Sequence, residues 1–379
     1  MKTQPSAPFF KTAETFVRGA KALPQQYLVS DAVFSEEKEK IFARHWILVG
    51  HQSQIAEPGD YFLANVAGES LIVVRDQRSE IGAFYNVCRH RGTRLKEDKS
   101  GHISAIQCPY HAWTYGLDGR LIGAPHMEDV PGFNKSNYPL PRVNLGIVDG
   151  LIFVTLNDGT ETLEEWFQPL QGKFSEWNLS NLVSARRIEY DVKANWKLIF
   201  ENYSECYHCP GVHPMLSKVS PYDSAENDLT EGPFLGGFMQ INRGRSLTMS
   251  GKTCALPVNS GREKEDEGKV FYYSVFPNLL LSMHPDYVMV HQIWPKSPER
   301  TLIYCDWFFH PNASEVENFD PEDAIQFWDI TNKQDWHVCE LSQQGIASRA
   351  YQPGPYSPRE SIPAAWDREY LRRLSNDAT

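Results

Sequence analysis

From about residue 46 to residue 156 the apolar positions fall in short strand-like runs broken by Gly and Pro. Residues 60–66 and 70–75, separated by Ala67-Gly68-Glu69, read as a β-hairpin, and 80–87 and 150–157 as further strands. Before them, 35–42 reads as a short helix with Ser35 as its cap and acids in the first turn. After residue 160 the pattern is mixed. Helical spacing occupies 161–170, 193–208, 321–345 and 363–374, and Asp320 followed by Pro321 is a cap-then-proline start. Strand runs at 270–275, 287–294 and 300–309 follow one another without intervening helices, which predicts an antiparallel sheet and an α+β fold. The expected division is a β-rich domain (46–157) and a mixed α+β domain (158–379), with an N-terminal segment (1–45) packing on the latter.

Composition narrows the function classes. The chain has 379 residues, 41% hydrophobic and 22% charged, as ordinary globular proteins do. Its net charge of −11 argues against broad contact with nucleic acid or anionic lipid. No apolar run approaches the ~20 residues that span a bilayer, and the opening residues lack the apolar core of a signal peptide. Seven cysteines, an odd number, fit reduced thiols better than a disulfide scaffold, so a cytoplasmic location is expected. No G-x-G-x-x-G follows a strand, and Gly116, Gly119 and Gly123 are wrongly spaced for a dinucleotide fold.

The most specific signal is Cys88-x-His90, then 17 residues, then Cys108-x2-His111. At this chain's own Cys and His frequencies the pattern arises by chance roughly once in ten thousand such chains. Zinc fingers group Cys with Cys and His with His, whereas here each half offers one of each. That alternation favours a two-iron cluster with both thiolates on one iron and both imidazoles on the other, a Rieske [2Fe–2S] centre, over a structural zinc. Gly92 and Pro109 permit tight loops around it, and Tyr110 and Trp113 offer a hydroxyl and an apolar lid.

A second group lies at Glu205, His208 and His213. If residues 195–208 are helical, Glu205 and His208 share a face, and Pro210-Gly211 turn the chain so that His213 returns beside His208. Two imidazoles and one carboxylate form the facial triad of non-haem Fe(II) oxygenases. The carboxylate is expected from the late helix, where spacing leaves Glu322, Asp323, Asp329, Asp335 and Glu340 open. Cys206 and Cys209 form a C-x2-C without a second half and read as packed thiols.

These motifs, with Asn195-Trp196-Lys197, give a chain that resembles the large (α) subunit of Rieske non-haem iron oxygenases over nearly its whole length. In that family a late helix carries D-x4-E-x2-Q. Asp335, Glu340 and Gln343 fit this pattern, so the resemblance makes Asp335 the third ligand beside His208 and His213. Most ring hydroxylases have aspartate where this chain has Glu205. The run Glu205-Cys206-Tyr207-His208-Cys209 looks more like the quaternary-ammonium branch, carnitine oxygenase and glycine-betaine demethylase.

The resemblance implies a terminal oxygenase component. A separate flavin or iron–sulfur reductase supplies NAD(P)H electrons singly to the Rieske cluster, a mononuclear Fe(II) uses them with O2, and a small-molecule substrate is oxygenated, by N-demethylation or hydroxylation of a quaternary-ammonium compound. It also implies a homotrimer, with Glu205 as the electron-transfer bridge between His208 and His111 of a neighbouring subunit; a carboxylate can accept the outer N–H of both imidazoles. Two alternatives use the same residues: an aromatic-ring mono- or dioxygenase, and an electron-transfer Rieske protein whose second cluster is structural.

Overall fold

The computed structural model describes residues 8–159, 161–242, 246–255, 268–315 and 319–375. Residues 1–7, which include most of the stretch read for a signal segment, lie outside the described residues. Two compact units are present, Phe42–Gln168 and Met1–Ile41 with Pro169–Thr379. Every strand ladder is antiparallel, and helices pack on sheets, so the fold is α+β.

The smaller unit is built from short strands. A four-stranded sheet runs Ile81–Tyr85, Glu69–Arg75, Asp60–Val66, Ser100–His102. Its central hairpin is the one the sequence predicts, turning through Ala67 and Gly68, both at positive φ. Asn144–Val148, Leu151–Thr155 and Ile47–His51 form a second sheet. In a third, Ile106–Gln107 and Thr114–Tyr115 close a hairpin whose loop carries Cys108 and His111. One core cluster gathers Ile72, Val74, Phe84 and Tyr115, and it includes both Cys88 and Cys108.

The larger unit centres on an eight-stranded sheet: Phe10–Lys11, Glu226–Leu229, Phe234–Gln240, Lys269–Val275, Leu279–Met283, Val288–Ser297, Arg300–Phe309 and Val183–Val192. The three predicted strand runs are there. Four longer members were not foreseen. Val183–Val192 is a mostly exposed edge strand rich in charge, so it lacks an apolar stripe. Phe234–Gln240 is interrupted by Gly236 and Gly237. There the neighbouring backbones come so close that a Cβ on Gly236 would meet the Tyr272 carbonyl and one on Gly237 the Glu226 carbonyl.

The long helix Pro321–Ile346 and the helix Ser361–Leu374 match their predicted spans within a few residues. Two predictions need correction. The early helix is Asp31–Glu37, capped by Ser30 rather than Ser35, and it continues as a π-turn over Lys38–Phe42. The helix expected to reach His208 stops at Tyr203. Glu205 accepts the backbone N–H groups of Tyr207 and His208, which turns the chain where another helical turn would have run.

The Asn195-Trp196-Lys197 motif locks this Trp196–Tyr203 helix in place. Asn195 caps it by accepting the Lys197 N–H, and the Asn195 N–H donates to Gln343 of the long helix at 2.9 Å. Trp196 Nε1 and Lys197 Nζ both donate to buried Glu37. Glu340 accepts the Lys193 N–H at 2.9 Å. Glu340 and Gln343 of the D-x4-E-x2-Q pattern thus pin the helix carrying Asp335 to the segment leading to His208.

Candidate functional site

In the smaller unit the two halves of the first motif form loops of one shape. The Cys88 N–H donates to the Thr93 carbonyl, and the Cys108 N–H to the Trp113 carbonyl, both at 2.8 Å. Each cysteine carbonyl then accepts the N–H four residues on, from Gly92 at 3.0 Å and from Ala112 at 3.2 Å. Gly92 and Ala112 both have positive φ, the left-handed turn that folds each loop back on itself. Both cysteines are buried, while His90 and His111 are exposed with ring centroids 4.8 Å apart.

This inner-sulfur, outer-imidazole arrangement fits a [2Fe–2S] cluster. Burial raises the Cys88 thiol pKa. Trp113 stacks on His90 at 4.8 Å, the predicted lid. The hydroxyl comes from a residue the sequence reading missed: Tyr115 Oη lies 3.3 Å from Cys88 Sγ and accepts the Arg89 N–H at 3.0 Å. Tyr110 instead lies outside, its ring tilted against His111.

In the larger unit His208, His213 and Asp335 converge, with one ligand atom from each within 4.8 Å of the others. Asp335 Oδ1 is 2.7 Å from His213 Nε2 and 3.2 Å from His208 Nε2. The outer nitrogens are held as well: His208 Nδ1 by Glu205 Oε1 at 2.6 Å, His213 Nδ1 by Gln334 Oε1 at 2.8 Å. Such bonds orient each imidazole with Nε2 inward, so that a bound metal would find the Nε2 lone pair facing it. Burial works against charge on His208, yet Asp335 and Glu205 outweigh it and carry the imidazole up to about 10. The site is built to hold positive charge, and the donor set fits a divalent iron with open positions.

Of the other acids considered, Asp329 accepts Tyr190 Oη and Lys333 Nζ, and Asp323 accepts Ser250. Gln334 was missed; its only signal is adjacency to Asp335. Cys206 and Cys209 are joined in a disulfide rather than being separate packed thiols, a consequence of the turn that replaces helix there.

A cavity of about 490 Å³ opens on this site, and His208, His213, Asp335, Glu205, Cys206 and Cys209 line it. Tyr203, Tyr207, Tyr272, Trp328 and Phe238 supply aromatic wall, and Gly236 and Gly237 supply bare backbone. Tyr203 Oη bonds Ser282 and Leu281, and Trp328 Nε1 donates to Tyr287 Oη. None of those partners lines the cavity, so these polar tips are engaged elsewhere.

Comparison with known proteins agrees with both halves. Residues 45–134 match the Rieske [2Fe-2S] domain and residues 179–376 the ring hydroxylating alpha subunit catalytic domain. The chain is 32% identical to the glycine betaine monooxygenase oxygenase subunit of Chromohalobacter salexigens, over 90% of this chain and 82% of that protein. It is 30% identical to the carnitine monooxygenase oxygenase subunit of Escherichia coli K12, over 91% and 90%. A crystal structure of the quaternary ammonium Rieske monooxygenase CntA superposes with a TM-score of 0.81 at 27% identity, covering 96% of this chain and 97% of that one. Naphthalene 1,2-dioxygenase from Rhodococcus, at 20% identity and a TM-score of 0.79, shares the fold. With the matched regions falling on the very loops and helices that gather these ligands, the chain belongs to the family of Rieske-type ring-hydroxylating oxygenase alpha subunits.

Proposed function

We propose that this chain is the terminal oxygenase of a two-component system that oxidises a quaternary-ammonium compound, with N-demethylation or hydroxylation as the outcome. Cys88, His90, Cys108 and His111 would hold the [2Fe–2S] cluster, and His208, His213 and Asp335 the mononuclear Fe(II). Bound there, the cluster would relay single electrons and the Fe(II) would activate O2. The electrons come from NAD(P)H through a separate reductase, as the relatives' designation as oxygenase subunits supports. No described helix is long and apolar enough to cross a membrane. Five of the seven cysteines are free, which supports placing the chain in the cytoplasm.

The observation that carries the substrate class is the wall of Tyr203, Tyr272 and Trp328 in the same cavity as the metal-holding triad. A trimethylammonium head has no N–H to donate. It is recognised by aromatic surface, at ~0.5–2 kcal/mol per ring, and two of these three rings have their polar tips tied elsewhere.

Glu205 holds His208 from its outer side. In a homotrimer the same carboxylate would take the outer N–H of a neighbouring subunit's His111, which makes Glu205 the bridge for electrons.

The test is turnover by purified, iron-loaded protein with a surrogate reductase, following O2 uptake and formaldehyde together. Stoichiometric formaldehyde from a trimethylammonium compound supports the reading. Oxygenation of aromatic hydrocarbons alone would overturn the substrate class. Full activity in His213→Ala would overturn the metal site.

A further inference from the structure

Histidines apart, the charged side chains lining the active-site cavity among the described residues are Glu205, Asp335, Asp223, Lys11 and Arg359. Glu205 and Asp335 are bonded to the histidines. The other three are exposed and so stand at the rim. Lys11 leads into the turn Thr12–Thr15, and Arg359 belongs to the turn Pro358–Glu360. These two turns pack together, and Thr15 Oγ1 donates to Ser361 Oγ at 3.1 Å, which puts both cations on one side of the opening.

Arg359 is held in place. Ser357 Oγ accepts the Arg359 N–H at 3.2 Å, and the Ser357 N–H donates to Glu360 Oε2 at 2.7 Å, so the turn is closed at both ends. The guanidinium lies over the ring of Tyr222, 5.1 Å from its centroid, and Tyr222 also lines the cavity. Stacking uses the flat face of a guanidinium and leaves its edge of N–H donors available. Among the described residues no carboxylate pairs with that edge: Glu360 is engaged by the cap, and Asp223, beside Tyr222, is out of ion-pair reach. Lys11, by contrast, faces Glu226 across the strand ladder. Most exposed arginines are simply solvated; this one is stacked, sits at a cavity and has no acid of its own.

The aromatic wall lies beside the triad. Trp328, Thr331 and Asp335 follow one another at helical spacing on the long helix, and all three line the cavity, so they share one face. Tyr203 and Trp328 meet the Tyr272 ring edge-on at 6.0 and 6.4 Å. The same cavity thus offers rings for a fixed cation next to the metal ligands and a fork of donors for an anion at its rim.

We propose that the substrate is a betaine, a trimethylammonium compound that carries its own carboxylate, and that Arg359, set by Tyr222, takes this carboxylate and selects betaines over trimethylammonium compounds without one. This rests on the quaternary-ammonium reading above. A guanidinium edge matches both oxygens of a carboxylate at once, whereas an amide or alcohol offers neither the second charged oxygen nor the charge. In a chain of net charge −11 a trimethylammonium group is attracted by the surface at large, but a carboxylate needs a local cation.

Calorimetric binding to iron-loaded protein tests the anchor without turnover. The probes are trimethylammonium acids with one to three methylenes between the charges, and their primary carboxamides. Wild type should bind at least one acid roughly tenfold more tightly than its amide. Arg359→Gln should erase that difference by weakening the acid alone, and Arg359→Lys, a point charge without the fork, should restore part of it. In turnover the same loss should appear in KM more than in kcat, with cluster and iron content unchanged.

Equal binding of acids and amides by wild type, or an acid preference that survives Arg359→Gln, overturns the proposal. So does a changed oligomeric state of Arg359→Gln in size-exclusion chromatography, since the arginine would then serve an interface. Acids bound through Arg359 but never oxidised would count against the oxygenase reading alone. Failure of acids and amides alike to bind would overturn the quaternary-ammonium reading together with the anchor.

Discussion

Tyr115→Phe isolates one hydrogen bond to the cluster. Tyr115 is fully buried, and its oxygen accepts the Arg89 N–H at 3.0 Å. With that lone pair taken, the hydroxyl hydrogen is free to point at Cys88 Sγ, 3.3 Å away, which as a metal-bound thiolate can only accept. A hydrogen bond to a charged acceptor is worth ~1.5–3 kcal/mol, and it strengthens as the cluster gains negative charge on reduction. If the gain is about 1 kcal/mol, the one-electron scale of ~59 mV per tenfold change puts the potential of Tyr115→Phe about 40 mV below wild type. The Arg89 N–H also loses its partner, at ~1–3 kcal/mol of stability. Redox titration followed by EPR or circular dichroism reads the shift, and urea unfolding reads the stability. An unchanged or raised potential, with the cluster fully loaded, would refute the donor assignment.

Gln334→Leu leaves His213 Nδ1 without its acceptor, so mononuclear iron affinity should fall ~10–100-fold with cluster content unchanged, measured by iron titration. In Glu205→Gln a single carbonyl oxygen must serve His208 Nδ1 and the Tyr207 and His208 N–H groups that two oxygens now serve. Cluster reoxidation by rapid mixing should slow by orders of magnitude, and a normal rate in iron-loaded protein would exclude the bridge. Gln343→Leu orphans the buried Asn195 N–H, while the Leu28 carbonyl keeps Asn195 Nδ2. A loss of ~1–3 kcal/mol in denaturant unfolding is expected, and no loss would show that the pin between the two helices is dispensable.

The parts of the site legible in the sequence were those written as residue identity at fixed spacing. Cys88, His90, Cys108 and His111 announce their chemistry because few other arrangements need alternating Cys and His. Asp335 was reached only through the family pattern, since helical periodicity alone could not separate it from Asp329. Its real distinction is positional: it faces His208 and His213, whereas Asp329 faces Tyr190 and Lys333. Tyr115 and Gln334 were invisible because one is an aromatic in a core cluster and the other an amide on a helix, identities that are common for ordinary reasons. The expected helix through Glu205 was wrong for a physical cause: its carboxylate competes for backbone N–H groups that further helical turns would have used. The pairing of Glu205 with His208 survived that error, because the turn brings the two together as a helical face would have.

The Gly236-Gly237 wall has a consequence for how this active-site cavity can diversify. Because flanking strands leave no room for a single added carbon, random mutagenesis at those two codons should return only misfolded or silent clones. Laboratory evolution toward bulkier or smaller substrates must therefore work on the opposite, side-chain-built surface around Tyr203, Leu216 and Trp328, while the glycine side persists as a fixed template against which every new ligand is measured.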